Sequence, residues 1–145
     1  FACTPRAVMA ILDHYKIPID GKKAVIIGRS NVIGKPVSLM LLSKNATVTI
    51  CHSHTKDIAS ITREADILVA AVGHANYVTA DMVKEGATVI DVGINRVEGK
   101  TVGDVDYEAV AAKAGAITPV PGGVGSVTTT MVIENIIAAG EKLAK

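Results

Sequence analysis

The stretch Ala24-Val-Ile-Ile-Gly-Arg-Ser-Asn-Val-Ile-Gly-Lys-Pro36 decides the fold. A short apolar run rich in β-branched residues ends in Gly28, and the compact polar turn Arg29-Ser30-Asn31 follows. Gly34 and Pro36 then open a segment with helical periodicity, Val37 to Leu42. A strand that passes through a tight turn into a helix is the first unit of a nucleotide-binding α/β domain. The reason is directional: the first amides of a helix have no intrahelical acceptor, and the helix dipole favours negative charge beside them. Glycines let a phosphate approach that backbone, and Pro36 fits a first turn in which a missing N–H costs little. The spacing departs from G-x-G-x-x-G, because Gly28 to Gly34 spans six positions and Ser30 stands where the middle glycine would be. Taken alone, the stretch also reads as an ordinary strand–helix turn without a ligand, so its context decides.

A chain of 145 residues is most simply one domain with a sizeable core. With a single Phe, no Trp and three Tyr, that core must be built from Val, Ile, Leu and Ala. Fifteen basic and fourteen acidic residues give a net charge of +1 without a block of like charge. This excludes a phosphate-tracking nucleic-acid surface and an acidic tail. Cys3 and Cys51 lie far apart without metal-ligand spacing and are expected as free thiols of a reducing compartment. No apolar run approaches the ~18 residues of a membrane span, and no signal-peptide pattern opens the chain. A cytoplasmic protein that does not bind membranes is expected.

Along the chain, Thr4 and Pro5 lead into a helix whose stripe is Val8, Ile11, Leu12 and Tyr15. An amphipathic helix ahead of the first strand, in a sequence without an initiator Met, suggests a fragment whose preceding residues belong to another domain. Lys23 to Ile27 and Ala46 to Cys51 read as strands flanking the first helix, a right-handed βαβ unit. Thr55 is expected to cap a helix through Ile58 and Ile61, and Ile67 to Val72 is a strand apolar throughout, as a parallel strand covered on both faces should be. A short helix over 79–84, a strand over 87–92, a hairpin or loop over 94–105, a helix over 106–114 and a short strand over 116–118 follow. Pro119 to Gly125 is a rigid loop, and a closing helix starts at Ser126. This alternation predicts an α/β, Rossmann-like, doubly wound parallel sheet with helices on both faces. Ligands of such sheets bind beyond the carboxyl ends of the strands, near the switch in strand order.

An Asp or Glu closing the second strand is what recognises the adenosine ribose of NAD. Here that position carries Cys51-His52-Ser53-His54-Thr55-Lys56, with no acid until Asp57. Ser53, His52 and Lys56 can donate to a 2′-phosphate, and Arg29 offers it a planar fork from the end of the first strand. The combination favours NADP. His52 and His54 lack a nearby third ligand, so no metal site is expected.

With the loops laid out, the chain resembles the carboxyl-terminal domain of the bifunctional methylenetetrahydrofolate dehydrogenase/methenyltetrahydrofolate cyclohydrolase family. The resemblance rests on Cys3-Thr4-Pro5, Gly28-Arg29-Ser30 with Val32-Ile33-Gly34-Lys35-Pro36, Cys51-His52-Ser53 with Thr55, Asp91-Val92-Gly93-Ile94-Asn95-Arg96, Gly103-Asp104-Val105, and Pro119-Val-Pro-Gly-Gly-Val-Gly125. It implies oxidation of 5,10-methylenetetrahydrofolate by NADP⁺, then hydrolysis of the methenyl product to 10-formyltetrahydrofolate, a one-carbon donor for purine biosynthesis. It also implies that Gly28, Arg29 and Ser30 line the cofactor, that Ser53 joins Arg29 at the 2′-phosphate, and that Ile94, Thr4 and Thr128 lie near the nicotinamide or the cleft. Pro119 to Gly125 would border the folate.

The family's catalytic lysine and tyrosine belong to an amino-terminal folate-binding domain that is missing here. No catalytic residue is therefore assigned, and residues 1–145 are expected to form the NADP-binding domain alone. Its terminal helices, about 4–15 and 126–144, would pack toward the missing domain, and the family resemblance implies a homodimer. Two departures from the family pattern are Ser126-Val127 after Gly125, where Pro-Met is usual, and Ala2 for Pro. Other readings are the cofactor domain of a different two-domain NADP enzyme, such as shikimate dehydrogenase, and a non-catalytic cofactor-sensing module. The six-position turn argues against the former.

Overall fold

A computed structural model describes residues 3–128. Helix α1, Cys3–His14, precedes strand β1, Lys23–Ile27; helix α2, Gly34–Ser43, then leads to β2, Thr47–Cys51. Helix α3, Ile58–Thr62, is followed by β3, Ile67–Ala70, a 3₁₀ turn at Ala80–Met82, and β4, Thr88–Asp91. Strands β5, Asn95–Val97, and β6, Lys100–Val102, come next, then helix α4, Tyr107–Ala111, and β7, Ala116–Ile117. Residues 124–128 are helical, so the expected closing helix begins within the described residues, and its continuation lies outside them.

The main sheet has the order β2-β1-β3-β4-β7, with every pair parallel. The chain moves outward from β1 to β2, returns to the other side of β1 with β3, and continues outward. The switch point therefore lies between the carboxyl ends of β1 and β3.

The core divides by strand parity. Ala24, Ile26, Ile67, Val69 and Ile90 face Val8 and Leu12 of α1 and Val37 and Leu41 of α2. Val25, Ile27, Leu68, Ala70 and Val89 face Val78, Met82, Val83 and Val110, with Ile58 and Ile61 of α3 against them. The central strands are thus apolar on both faces because both faces are covered. Complete burial of each of the Val, Leu and Ile side chains contributes about 1.5–3 kcal/mol.

Several local expectations change. The helix expected over 79–84 is only the 3₁₀ turn, because Val78 pairs with Val105 and Val83 is extended at φ −119° and ψ 134°. Thr55 does not cap α3: its hydroxyl oxygen accepts from the His52 N–H at 2.8 Å, and Asp57 precedes the helix at φ 48°. The helix over 106–114 contracts to α4, and the strand over 67–72 ends at Ala70. Residues 95–102 do form the hairpin, turned by Glu98 and Gly99 at φ 51° and 78°. Two successive left-handed residues suit the twist of a two-residue hairpin. Cys3 and Cys51 are not joined by a disulfide, and Cys51 is buried. No helix among the described residues is long and apolar enough to cross a membrane.

At the amino end of the sheet, Asp66 ties strand starts together. Its carboxylate accepts from the Lys23 N–H at 3.0 Å and from Lys84 Nζ, and its carbonyl accepts from the Thr88 N–H at 2.9 Å. The Lys84 bond first, and the Lys23 amide second, hold the Asp66 carboxyl below the usual carboxylate range. A depressed folded-state value stabilises the protein above the unfolded value of about 4, and that contribution disappears as pH falls through the folded value. Asp66→Asn should therefore lower the urea midpoint at pH 7, and its difference from wild type should shrink toward pH 3. A difference that does not change with pH would contradict this role.

Candidate functional site

The carboxyl ends of β1 and β3 meet at Gly28. Its φ is 124°, its N–H donates to the Cys51 carbonyl at 2.8 Å, and a Cβ there would overlap the carbonyl oxygen of Ala71. A Cβ on Gly34 would likewise overlap the Gly28 carbonyl, so the turn closes tightly on its own beginning. The Ser30 hydroxyl oxygen accepts from the Ile33 and Gly34 amides at 3.1 and 3.3 Å, and the Ser30 carbonyl accepts from Lys35 at 3.0 Å. Ser30 thus caps the start of α2 by an indirect route, since Ile33 occupies the formal cap position without a side-chain bond. The amides of Arg29, Ser30, Asn31 and Val32 have no acceptor among the described residues. This is a set of backbone donors at the amino end of a ten-residue helix, suited to an anion.

Across β1 from this turn lies the loop that follows β2. His52 and Thr55 close it reciprocally: the His52 N–H donates to the Thr55 hydroxyl oxygen, and the Thr55 N–H donates to the His52 carbonyl at 3.0 Å. The His54 N–H donates to His52 Nδ1 at 3.2 Å, and Ser53 stands exposed at the loop tip. Desolvation, then the charges of Arg29 and His54, hold His52 below the ordinary imidazole value. Arg29 is therefore close enough to act on the loop electrostatically. This corner is electropositive and carries no carboxylate between Cys51 and Lys56.

On the other side, the ends of β3 and β4 are organised by two buried carboxylates. Asp91 accepts from the amides of Gly93 and Asp104 at 2.9 and 3.0 Å through Oδ1, and from that of Val105 at 3.1 Å through Oδ2. Burial pushes its pKa up, and the three amides oppose that shift. Asp104, fully buried, accepts from the amides of Val72, Gly73 and His74 and from Asn95 Nδ2. Nothing physical in the sequence marked Asp104, because three of its four partners are backbone amides some thirty positions upstream.

Ile94 follows β4 and is 67% exposed. It borders a cavity of about 210 Å³ together with Asp91, Thr101, Pro119, Gly123 and Ser126. Thr4 lies within α1, and the Thr128 hydroxyl donates to the Val124 carbonyl at 2.9 Å; neither lines this cavity. A larger cavity of about 340 Å³, between α1 and the β4–β7 edge, is lined mainly by apolar side chains such as Ile11, Ile90 and Ile117. It has no convergent charged donors, so the β1–β3 switch point, with its backbone donors at residues 29–32, is the better candidate. Among the described residues, no group of His, Cys, Asp and Glu side chains could hold a metal ion.

Comparisons with known proteins agree with this geometry. A family described as tetrahydrofolate dehydrogenase/cyclohydrolase, NAD(P)-binding domain, matches residues 2–144. The bifunctional protein FolD of Burkholderia thailandensis is 62% identical over 143 residues, which cover 98% of this chain and 50% of that protein. The bifunctional protein FolD of Halothermothrix orenii is 59% identical, with coverage of 95% and 49%. The crystal structure of the Campylobacter jejuni bifunctional FolD dehydrogenase/cyclohydrolase superposes with a TM-score of 0.94 at 52% identity, covering 98% of this chain and 51% of that one. The Trypanosoma brucei FolD, solved with NADP cofactor and an inhibitor, gives a TM-score of 0.91 at 40% identity, with coverage of 99% and 51%. The chain thus spans about half the length of the curated relatives it matches.

The close approach at Gly28 has a direct consequence. Gly28→Ala adds a methyl group against a backbone carbonyl at a φ that L-residues rarely adopt, so it should destabilise the fold by about 1–3 kcal/mol. Urea denaturation checks this, and an unchanged midpoint would show that the turn and β3 do not meet as described.

Proposed function

The chain belongs to the tetrahydrofolate dehydrogenase/cyclohydrolase family as its NAD(P)-binding domain, and we propose that it binds NADP in the β1–β3 crevice for a bifunctional folate enzyme. The free amides of residues 29–32 and the absence of a Cβ at Gly28 fit a pyrophosphate over the start of α2. The observation that carries the choice of NADP is the acid-free corner formed by Arg29, His52 and Ser53. There Arg29 and Ser53 take the 2′-phosphate, and Gly28 and Ser30 shape the turn beneath the cofactor. Ile94 is assigned to the nicotinamide end, next to the cavity bordered by Pro119 to Gly125, and Thr128 to the same side. The Trypanosoma brucei relative, solved with NADP, supports the reading.

NADP⁺ bound here supplies the hydride acceptor for 5,10-methylenetetrahydrofolate, and water then converts the methenyl product to 10-formyltetrahydrofolate. No catalytic side chain is assigned among the described residues for the proton transfers of those steps. They are assigned to an amino-terminal folate-binding domain, toward which the terminal helices would pack. Self-association as a homodimer is assigned to the open edge of β2, where Thr47, Thr49 and Ile50 are exposed, together with exposed Leu39 and Leu42. The substrate and cofactor are those of a cytoplasmic one-carbon enzyme that supplies purine biosynthesis.

Two outcomes follow. NADPH should bind more tightly than NADH in calorimetry, and Arg29→Ala should weaken NADPH by roughly 10- to 100-fold, the worth of a charged hydrogen bond, while leaving NADH nearly unchanged. Equal affinities for the two cofactors would overturn the 2′-phosphate assignment. The 145-residue chain alone should show no methylenetetrahydrofolate dehydrogenase activity in a spectrophotometric assay. Turnover by it would place the proton-transfer groups within these residues.

A further inference from the structure

We infer that Asp104 is a positioning residue for the cofactor: its one carboxylate sets the shape of both loops that wall the crevice on the β3–β4 side. The inference rests on the dinucleotide reading above and extends it to a residue that need not touch the ligand.

Three consecutive amides converge on this group. Val72 and Gly73 donate to Oδ2 at 2.7 and 3.1 Å, and His74 donates to Oδ1 at 3.0 Å. These are the residues directly after Ala71, whose carbonyl oxygen lies against Gly28 at the switch point. Oδ1 also accepts from Asn95 Nδ2 at 3.0 Å, and Asn95, the first residue of β5, directly follows Ile94 at the end of the loop after β4. One oxygen atom therefore joins the loop after β3 to the loop after β4. Farther along, the Asp104 carbonyl accepts from the Val78 N–H and the Val78 carbonyl accepts from the Asp106 N–H, both at 2.9 Å. The loop over 72–78 is thus fastened at both ends to the segment 104–106.

The chemistry of the side chain is specific. A carboxylate presents acceptor sites only and can satisfy four N–H donors at once. An Asn of the same shape must turn its NH₂ toward two of those donors, leaving two part-buried N–H groups unpaired and one wall displaced. The space is equally constrained, because a Cβ on Gly93 would overlap the Asp104 carboxylate. Asp104 itself is held by its own N–H to Asp91 Oδ1. The walls it positions face the parts common to NADP and NAD, whereas Arg29 and Ser53 face the part that differs. Loss of Asp104 should therefore weaken both cofactors by the same factor.

The test is calorimetry of the chain with NADPH and with NADH, for wild type, Asp104→Asn and Asn95→Ala, at a temperature where thermal denaturation shows each to be folded. Asp104→Asn should lower both affinities about tenfold or more without changing their ratio. Asn95→Ala leaves the carboxylate and its three amides intact and should lower both affinities several-fold while keeping most of the stability. This second variant decides the matter if Asp104→Asn does not fold. Wild-type affinities in folded Asp104→Asn, or in Asn95→Ala, would overturn the inference, as would a loss confined to NADPH. A wild-type chain that binds neither cofactor would overturn the dinucleotide reading itself, and this inference with it.

Discussion

The approach of Gly28 to the carbonyl of Ala71 is the contact on which the crevice depends. In a doubly wound sheet the chain leaves the central strand in one direction and returns on its other side, so two loops face each other across a single strand end. Whether they form a binding site depends on how near they come. With a side chain at position 28 the turn would be pushed off β3, and the amides of residues 29–32 would no longer lie over the switch point. The absence of one Cβ thus turns a topological property into a local set of backbone donors.

The opposite wall relies on a different force. Asp91 and Asp104 are buried carboxylates whose hydrogen-bond partners among the described residues are N–H groups, three for the first and four for the second, with no Lys or Arg among them. Burying a carboxylate is costly unless hydrogen bonds compensate, and the raised pKa of Asp91 reflects that cost. The same burial makes the arrangement discriminating. Seven donors must be in place together, which leaves the loops after β3 and β4 little freedom to adopt other shapes. Rigid loops on a rigid sheet suit a site that must hold an extended cofactor in one pose.

Much of this was legible in the sequence where the governing rules are local. The apolar runs of Ala24 to Ile27 and Ile67 to Ala70 gave the central strands because residues covered on both faces need no alternation. Gly28-Arg29-Ser30 announced the turn, and the missing acid after Cys51 is what motivates the proposed phosphate corner. Glu98-Gly99 offered a hairpin, which formed. What stayed hidden depends on distant partners. Thr79 to Lys84 has helical composition, yet pairing of Val78 with Val105 shortens it to one turn. Thr55 looks like a cap, yet its hydroxyl closes the His52 loop instead. Asp104 stood inside a family motif without a physical role, because three of its four bonds run to backbone amides that no side-chain pattern marks.

On the proposed reading, one ligand is held between the turn after β1 and the carboxylate-held loops after β3 and β4. Amide-resolved NMR of the chain during titration with NADP⁺ tests this most directly. The largest shifts should fall at residues 28–34, 72–74 and 93–95, and NADP⁺ but not NAD⁺ should also move residues 52–55. Shifts clustered at the amino ends of the strands, around Lys22, Asp66 and Lys84, would contradict it.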